Sequence, residues 1–255
     1  MANTYLSFIS DEHLLNCVAN LYKSYQKAKN DINKKKFYSN KIDAFKMVFD
    51  VKFNNMDEEA LIQAEILRQI DKSINNSIGT FHEEILGGIA GYEKGNLSGF
   101  DIKAIDNTLF ADIKNKHNTM NSSAAESLFQ KLKRYADDHK QAKCYWVQIL
   151  ATQSFCEKWT SIINGKEYSH SRVYKISGDQ FYKLLTGVDN ALFQLYSVLP
   201  KVIEDYLKSI SAGESEKKQN SALIEIKDGS QKSGRTILNE ITYENYQYYL
   251  GFDKL

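Results

Sequence analysis

The stretch GFDIKAIDNTLFADIKNKHNTMNSSAAESLFQKL, from Gly99 to Leu132, decides the fold. GFDIKAI and NTLFADIKN each alternate with a period of two, and Asp106-Asn107 between them is turn chemistry, so the segment predicts two short paired strands. In the second, Leu109, Ala111 and Ile113 face one way, and Phe110, Asp112 and Lys114 the other. Ser123-Ala-Ala-Glu126 then has the spacing of a capping box, and Leu128, Leu132, Tyr135 and Ala136 follow at helical spacing. CYWVQILA, from Cys144, is rich in aromatic and branched residues and reads as a buried strand. The centre of the chain is therefore strand–strand–helix–strand.

Outward from this core the periodicity is helical. Residues 4–50 carry Leu14, Val18 and Leu21, then Phe37, Ile42, Phe45 and Phe49, as apolar faces. The run Lys34–Lys36 is most simply a solvated face, with a DNA-backbone contact as the rarer alternative. A strong amphipathic pattern starts at Asp57. Thr80-Phe-His-Glu83 fits a capping box for a separate next helix. FYKLLTG and ALFQLYSVLPKVIEDYLKSI read as helices, SAGESEKKQNS as a polar loop, and SALIEIKDGSQKSGRTILNEIT as a hairpin turning near Asp228-Gly229. Tyr243, Tyr246 and Tyr249 share a helical face in the tail, which suits packing or a dimer surface better than base stacking. The expected architecture is α/β: a central mixed β-sheet surrounded by helices. It forms a single domain over 1–255, with a helical N-terminal part (1–80) and a core (81–255) ending in a C-terminal hairpin and tail.

The chain has 255 residues and a formal net charge of +1, so any affinity for nucleic acid or membrane must come from local clustering. Cys17, Cys144 and Cys156 lack zinc-ligand spacing and form no disulfide framework, which favours a reducing cytoplasm. The N-terminus lacks the pattern of a signal peptide, and no apolar run is long enough to span a bilayer.

The chemistry-bearing group is Asp101, Asp112 and Lys114. A hairpin of this length brings position 101 beside 112 and 114. Two adjacent carboxylates repel, and a divalent cation resolves the conflict; oxygen ligands supplemented by water suit Mg²⁺. A nearby lysine could orient or deprotonate an attacking water, which completes the parts for metal-assisted phosphodiester hydrolysis. The acid-x-Lys triplet alone is weak: it occurs six times, at 50–52, 101–103, 112–114, 138–140, 216–218 and 225–227, where chance gives roughly four. Context singles out 112–114: an upstream acid at hairpin distance, an alternating strand, and a helix afterwards. The plain alternative is an exposed strand face with a cross-strand ion pair.

GFDI followed by ADIKNKHNTMNSS resembles the PD-(D/E)XK nuclease superfamily, and more narrowly type II restriction endonucleases that cut GGNCC-like sites. The resemblance extends from FHEEILG at Phe81 through DQFYKLLTG at Gly187. Phe100 stands where Pro is common, and Asp112 where Glu is frequent. The resemblance implies that Asp101 and Asp112 bind metal and that Lys114 assists the nucleophile. It also implies a further acid near the metal at Glu83, a residue the capping box explains equally well. His82 and Gln148 read first as satisfied structural residues. Asn115, Lys116, His117, Asn118, Thr119, Asn121 and Ser122 form a polar run suited to DNA contact, the alternative being a solvated loop with helix caps. Lys131, Lys133 and Arg134 could add backbone contacts. The implied activity is Mg²⁺-dependent cleavage of double-stranded DNA at a short palindrome, leaving 5′-phosphates. A homodimer would perform it, in a host with a companion DNA methyltransferase and with no role for a membrane. Two rival readings remain open: a structure-selective or repair nuclease on the same fold, and a non-catalytic DNA- or protein-binding helical module.

Overall fold

The computed structural model describes residues 3–95, 99–116, 120–163, 165–210 and 221–247. These divide into two compact units, one of 1–21 with 77–212 and one of 22–76 with 213–255, where composition marks no boundary.

The first unit holds a six-stranded mixed sheet. Its strands are β1 (Tyr92–Lys94), β2 (Ile102–Ala104), β3 (Leu109–Lys116), β4 (Lys143–Leu150), β5 (Cys156–Ile163) and β6 (Lys166–Ser177), in the order β1-β2-β3-β4-β6-β5. β1, β2 and β3 pair antiparallel, β3 with β4 and β4 with β6 parallel, and β5 with β6 antiparallel. The turn before β3 needs a left-handed residue, and Asn107 supplies it with φ +60°.

The alternation of β3 sorts its side chains between two cores. Leu109, Ala111 and Ile113 join Tyr145, Val147 and Ile149 of β4 in one cluster. That cluster also takes residues from α1 (Asp11–Asn30), the end of α4 (Glu58–Gly87), α6 (Gly178–Thr186) and α7 (Ala191–Ile210). Phe110 faces the other side, with Cys144, Trp159, Tyr168 and Val173, beneath Leu128, Phe129, Leu132 and Ala136 of α5 (Ser122–Asp138). Asp112 lies on this second side and is 7% exposed.

The second unit gathers Ile32, Phe37, Ile42, Met47, Ile62, Ala222, Ile226 and Ile241 into a separate core. Its elements include α2 (Lys34–Ser39), α3 (Ala44–Phe53), α8 (Ser221–Ser233) and α9 (Ile237–Tyr246). Lys34 does not simply face solvent: it pairs with Glu244 at 2.9 Å and Glu240 at 3.6 Å. The Glu58 carboxylate accepts the Ile237 N–H at 3.0 Å, satisfying a donor at the start of α9.

Four expectations are corrected. The C-terminal hairpin is absent: Ser221–Ser233 and Ile237–Tyr246 are helices, because Ala222, Ile226 and Ser230 recur at i, i+4 and are buried. Thr80 starts no new helix, since α4 runs unbroken from Glu58 to Gly87. The predicted box Ser123–Glu126 is displaced: Asn121 is the N-cap of α5, accepting the Ala124 N–H at 2.9 Å. Phe45 and Phe49 are exposed at 64% and 55%, and Ala44 and Met47 are the buried residues of α3. The polar loop at 211–220 and Tyr249 lie outside the described residues.

One close approach locks helix α6 onto the sheet. A Cβ on Gly178 would lie 2.6 Å from the Ile149 carbonyl oxygen, so only glycine fits. Gly178→Ala is expected to lower unfolding free energy by about 1–3 kcal/mol, the cost of overpacking a rigid contact, measured by urea denaturation; an unchanged midpoint would refute the contact.

Candidate active site

The site is built on the β2–β3 hairpin. The pairing Ile102 with Ala111 and Lys103 with Phe110, carried one residue further, sets Asp101 opposite Asp112. Asp101 completes the ladder with both backbone and side chain. Its N–H donates to the Ala111 carbonyl at 3.0 Å, and its Oδ2 accepts the Ile113 N–H at 2.6 Å. That bond fixes the carboxylate beside β3. Burial and the neighbouring Asp112 charge push the Asp101 carboxyl above its usual range, against the opposing pull of the Ile113 N–H, Lys114 and Lys131.

Asp112 is held by two ammonium groups, one on each oxygen. Lys114 Nζ lies 2.5 Å from Oδ1, and Lys131 Nζ, from α5, lies 3.0 Å from Oδ2. The Lys114 ammonium thus covers Oδ1 and the Lys131 ammonium Oδ2, so both oxygens of this buried carboxylate meet a counter-charge. A buried carboxylate is tolerated when its oxygens meet charged partners of this kind.

Glu83 reaches the same neighbourhood from the last turns of α4. Lys94 Nζ is 3.7 Å from its Oε2, and its carboxyl is raised by burial and by the Asp101 charge. Because α4 is continuous here, the capping-box explanation of Glu83 falls away. The cluster thus counts three acids, Glu83, Asp101 and Asp112, against three ammonium groups, Lys94, Lys114 and Lys131.

The oxygens present fit a hard cation. Asp101 and Asp112 would hold it through their carboxylates. Among the described residues no three His, Cys, Asp or Glu side chains form a complete metal cage. Two carboxylates supplemented by water and a phosphate oxygen is the donor set Mg²⁺ favours.

The structure separates the other candidates. His82 is a half-buried structural histidine: it bonds the Tyr182 hydroxyl at 2.9 Å, and burial lowers its pKa to about 4, which keeps it neutral near pH 7. Gln148 is buried on β4 directly across from Lys114 and beside Ser177, on the Asp112 side of the sheet. Among the described residues of the polar run, Lys116 shares Lys114's face of β3 and Asn115 lies on the Ile113 side. Asn121 is engaged as the α5 cap and Ser122 begins that helix. His117, Asn118 and Thr119 lie outside the described residues. Lys133 pairs with Asp137 on its own helix at 2.8 Å. Lys131's bond to Asp112 was not visible in the sequence, because it joins residues 19 apart across two elements.

The family model for "Eco47II restriction endonuclease" matches residues 6–208, which include every member of this cluster. The chain belongs to the Eco47II restriction endonuclease family. It is 42% identical to the type II restriction enzyme Sau96I of Staphylococcus aureus, over 96% of this chain and 97% of that protein. It is 32% identical to the type II restriction enzyme Eco47II of Escherichia coli, over 82% of this chain and 90% of that one. Membership of this restriction endonuclease family leaves the reading as a non-catalytic module without support. No helix among the described residues is long and apolar enough to cross a membrane.

The raised Asp101 carboxyl yields a stability prediction. An acid with a raised pKa favours folding fully below its unfolded value of 3.8 and loses that contribution as pH rises through the folded value. Asp101→Asn is therefore expected to melt higher than wild type at pH 7 without divalent metal, by roughly 2 °C for a protein of this size. The gap should close as pH falls toward the unfolded value. Added Mg²⁺ should raise the wild-type melting temperature and leave the variant unmoved. Equal responses of both proteins to Mg²⁺ would remove Asp101 from the site.

Proposed function

We propose that this family member is a Mg²⁺-dependent, site-specific endonuclease. It hydrolyses both strands of double-stranded DNA at a short palindrome, GGNCC-like by resemblance, and leaves 5′-phosphates. The observation that carries this reading is the convergence of Asp101, Asp112 and Lys114 on one hairpin, with Asp101 fixed by the Ile113 N–H and Asp112 against the Lys114 ammonium.

Asp101 and Asp112 would hold the cation, and the Ile113 N–H orients the Asp101 carboxylate for this. A divalent cation held there would supply Lewis-acid chemistry to a phosphate oxygen and acidify water in the site. Lys114 lies against Asp112 and is only partly buried. From there its ammonium can hold the attacking water and offset the negative charge that grows on phosphorus. Glu83, with its raised carboxyl, is placed to accept a proton from that water network. Without metal the six charged side chains sum to zero; a divalent cation leaves a surplus of two positive charges, which favours an anionic phosphodiester and a more anionic transition state.

A palindromic site has two-fold symmetry, and a homodimer presents one such cluster to each strand. Its activity implies a companion methyltransferase protecting the host's own DNA, and a cytoplasmic setting. The test is digestion of plasmid with Mg²⁺ followed by sequencing of the ends. Discrete fragments sharing one palindrome are expected from wild type. Asp112→Asn should lose at least about 10³-fold in cleavage rate, the scale on which essential electrostatic groups act, with DNA binding retained. Smearing, or junction-only cutting, would overturn site specificity; full activity in Asp112→Asn would overturn the site.

A further inference from the structure

We propose that Lys131 is a resident counter-cation of the metal site: its ammonium stands where it competes with a divalent cation for Asp112, and so sets how tightly the site takes metal. The inference rests on the metal-site reading above.

Three contacts converge on Lys131 Nζ, each of a kind a cation takes. It lies 3.0 Å from Asp112 Oδ2, it donates to the Gly99 carbonyl oxygen, and it stands 4.2 Å from the centroid of the Phe100 ring. The Lys131 side chain is 28% exposed, so the ammonium sits at the rim of the cluster and has a route outward. Its reach is not explained by the hydrolytic role, since Lys114 already faces Asp112 through the other oxygen. Nor does the position resemble a solvated helix face, because Lys133, two residues on, pairs within its own helix. With metal absent, Lys131 keeps Asp112 Oδ2 paired. With metal bound, a divalent cation and the Lys131 ammonium, three positive charges, would face one carboxylate beside Lys114, and like-charge repulsion penalises that arrangement. The same repulsion favours swinging the long lysine stem outward, toward any phosphate that lies on this face.

A purely structural ion pair pinning α5 to β3 would influence folding and leave metal affinity alone. Calorimetric titration of the full-length, DNA-free protein with Mn²⁺ separates the two. Lys131→Met is expected to bind Mn²⁺ about tenfold more tightly than wild type, and Lys131→Arg, which keeps the charge, to stay within about twofold. Lys131→Gln, which retains a donor for Gly99 and Asp112, carries the same expectation as Lys131→Met and serves if that variant folds poorly. Affinity unchanged or weakened in both neutral variants would overturn the inference. Asp112→Asn is the control for the underlying site. If wild type shows Asp112-dependent Mn²⁺ binding while the Lys131 variants match it, only the counter-cation role fails. If wild type shows no Asp112-dependent binding, the metal site itself fails.

Discussion

The placement of the Asp112 carboxylate, 7% exposed on a strand whose other face is core, is the constraint on which the site depends. A charge so placed is tolerable only with counter-charge at both oxygens, and the fold supplies it from two directions: Lys114 two residues along β3, and Lys131 from α5. The strand period forces the first, and the packing of Leu128, Phe129 and Leu132 onto the sheet brings the second. Asp101 then enters through pairing alone, because its side chain takes the Ile113 N–H where the β2–β3 ladder would continue. Hydrophobic burial of Leu109, Ala111 and Ile113 thus determines where the acids stand.

The cluster is electrostatically balanced and locally strained. Three acids meet three ammonium groups, yet Asp101 and Glu83 are both pushed toward protonation by burial and by a neighbouring carboxylate, Asp112 for Asp101 and Asp101 for Glu83. A site that is neutral overall and still holds raised carboxyls is suited to receiving a cation. The sheet behind it is closely packed, with Gly178 against Ile149 on one side and Trp146 at 4.6 Å from Trp159 on the other. Such backing holds the acids in place before metal and substrate arrive.

What could be read in the sequence was short-range. The alternation of 109–114, the turn at Asp106-Asn107, the buried strand at Cys144 and the amphipathic helices all follow from local spacing, and they placed Asp101, Asp112 and Lys114 together. Errors arose where a local signal had a tertiary rival. Thr80–Glu83 has capping-box spacing, but Phe81, Ile85 and Leu86 continue the buried face of α4 through it. Asp228-Gly229 is hairpin chemistry, yet Gly229 sits inside α8 with Glu240 and Lys34 close to where a Cβ would lie. The β5–β6 pair was missed, although Asn164-Gly165 is a strong two-residue turn signal and Gly165 has φ +76°. The two units, each assembled from segments distant in sequence, and the Lys131–Asp112 bond are long-range features that no spacing rule carries.

Anomalous diffraction from crystals soaked in Mn²⁺ tests the central claim most directly. The account predicts a manganese peak within coordinating distance of one carboxylate oxygen of Asp101 and one of Asp112. Manganese bound only elsewhere, or Asp101 and Asp112 found pointing apart, would contradict it.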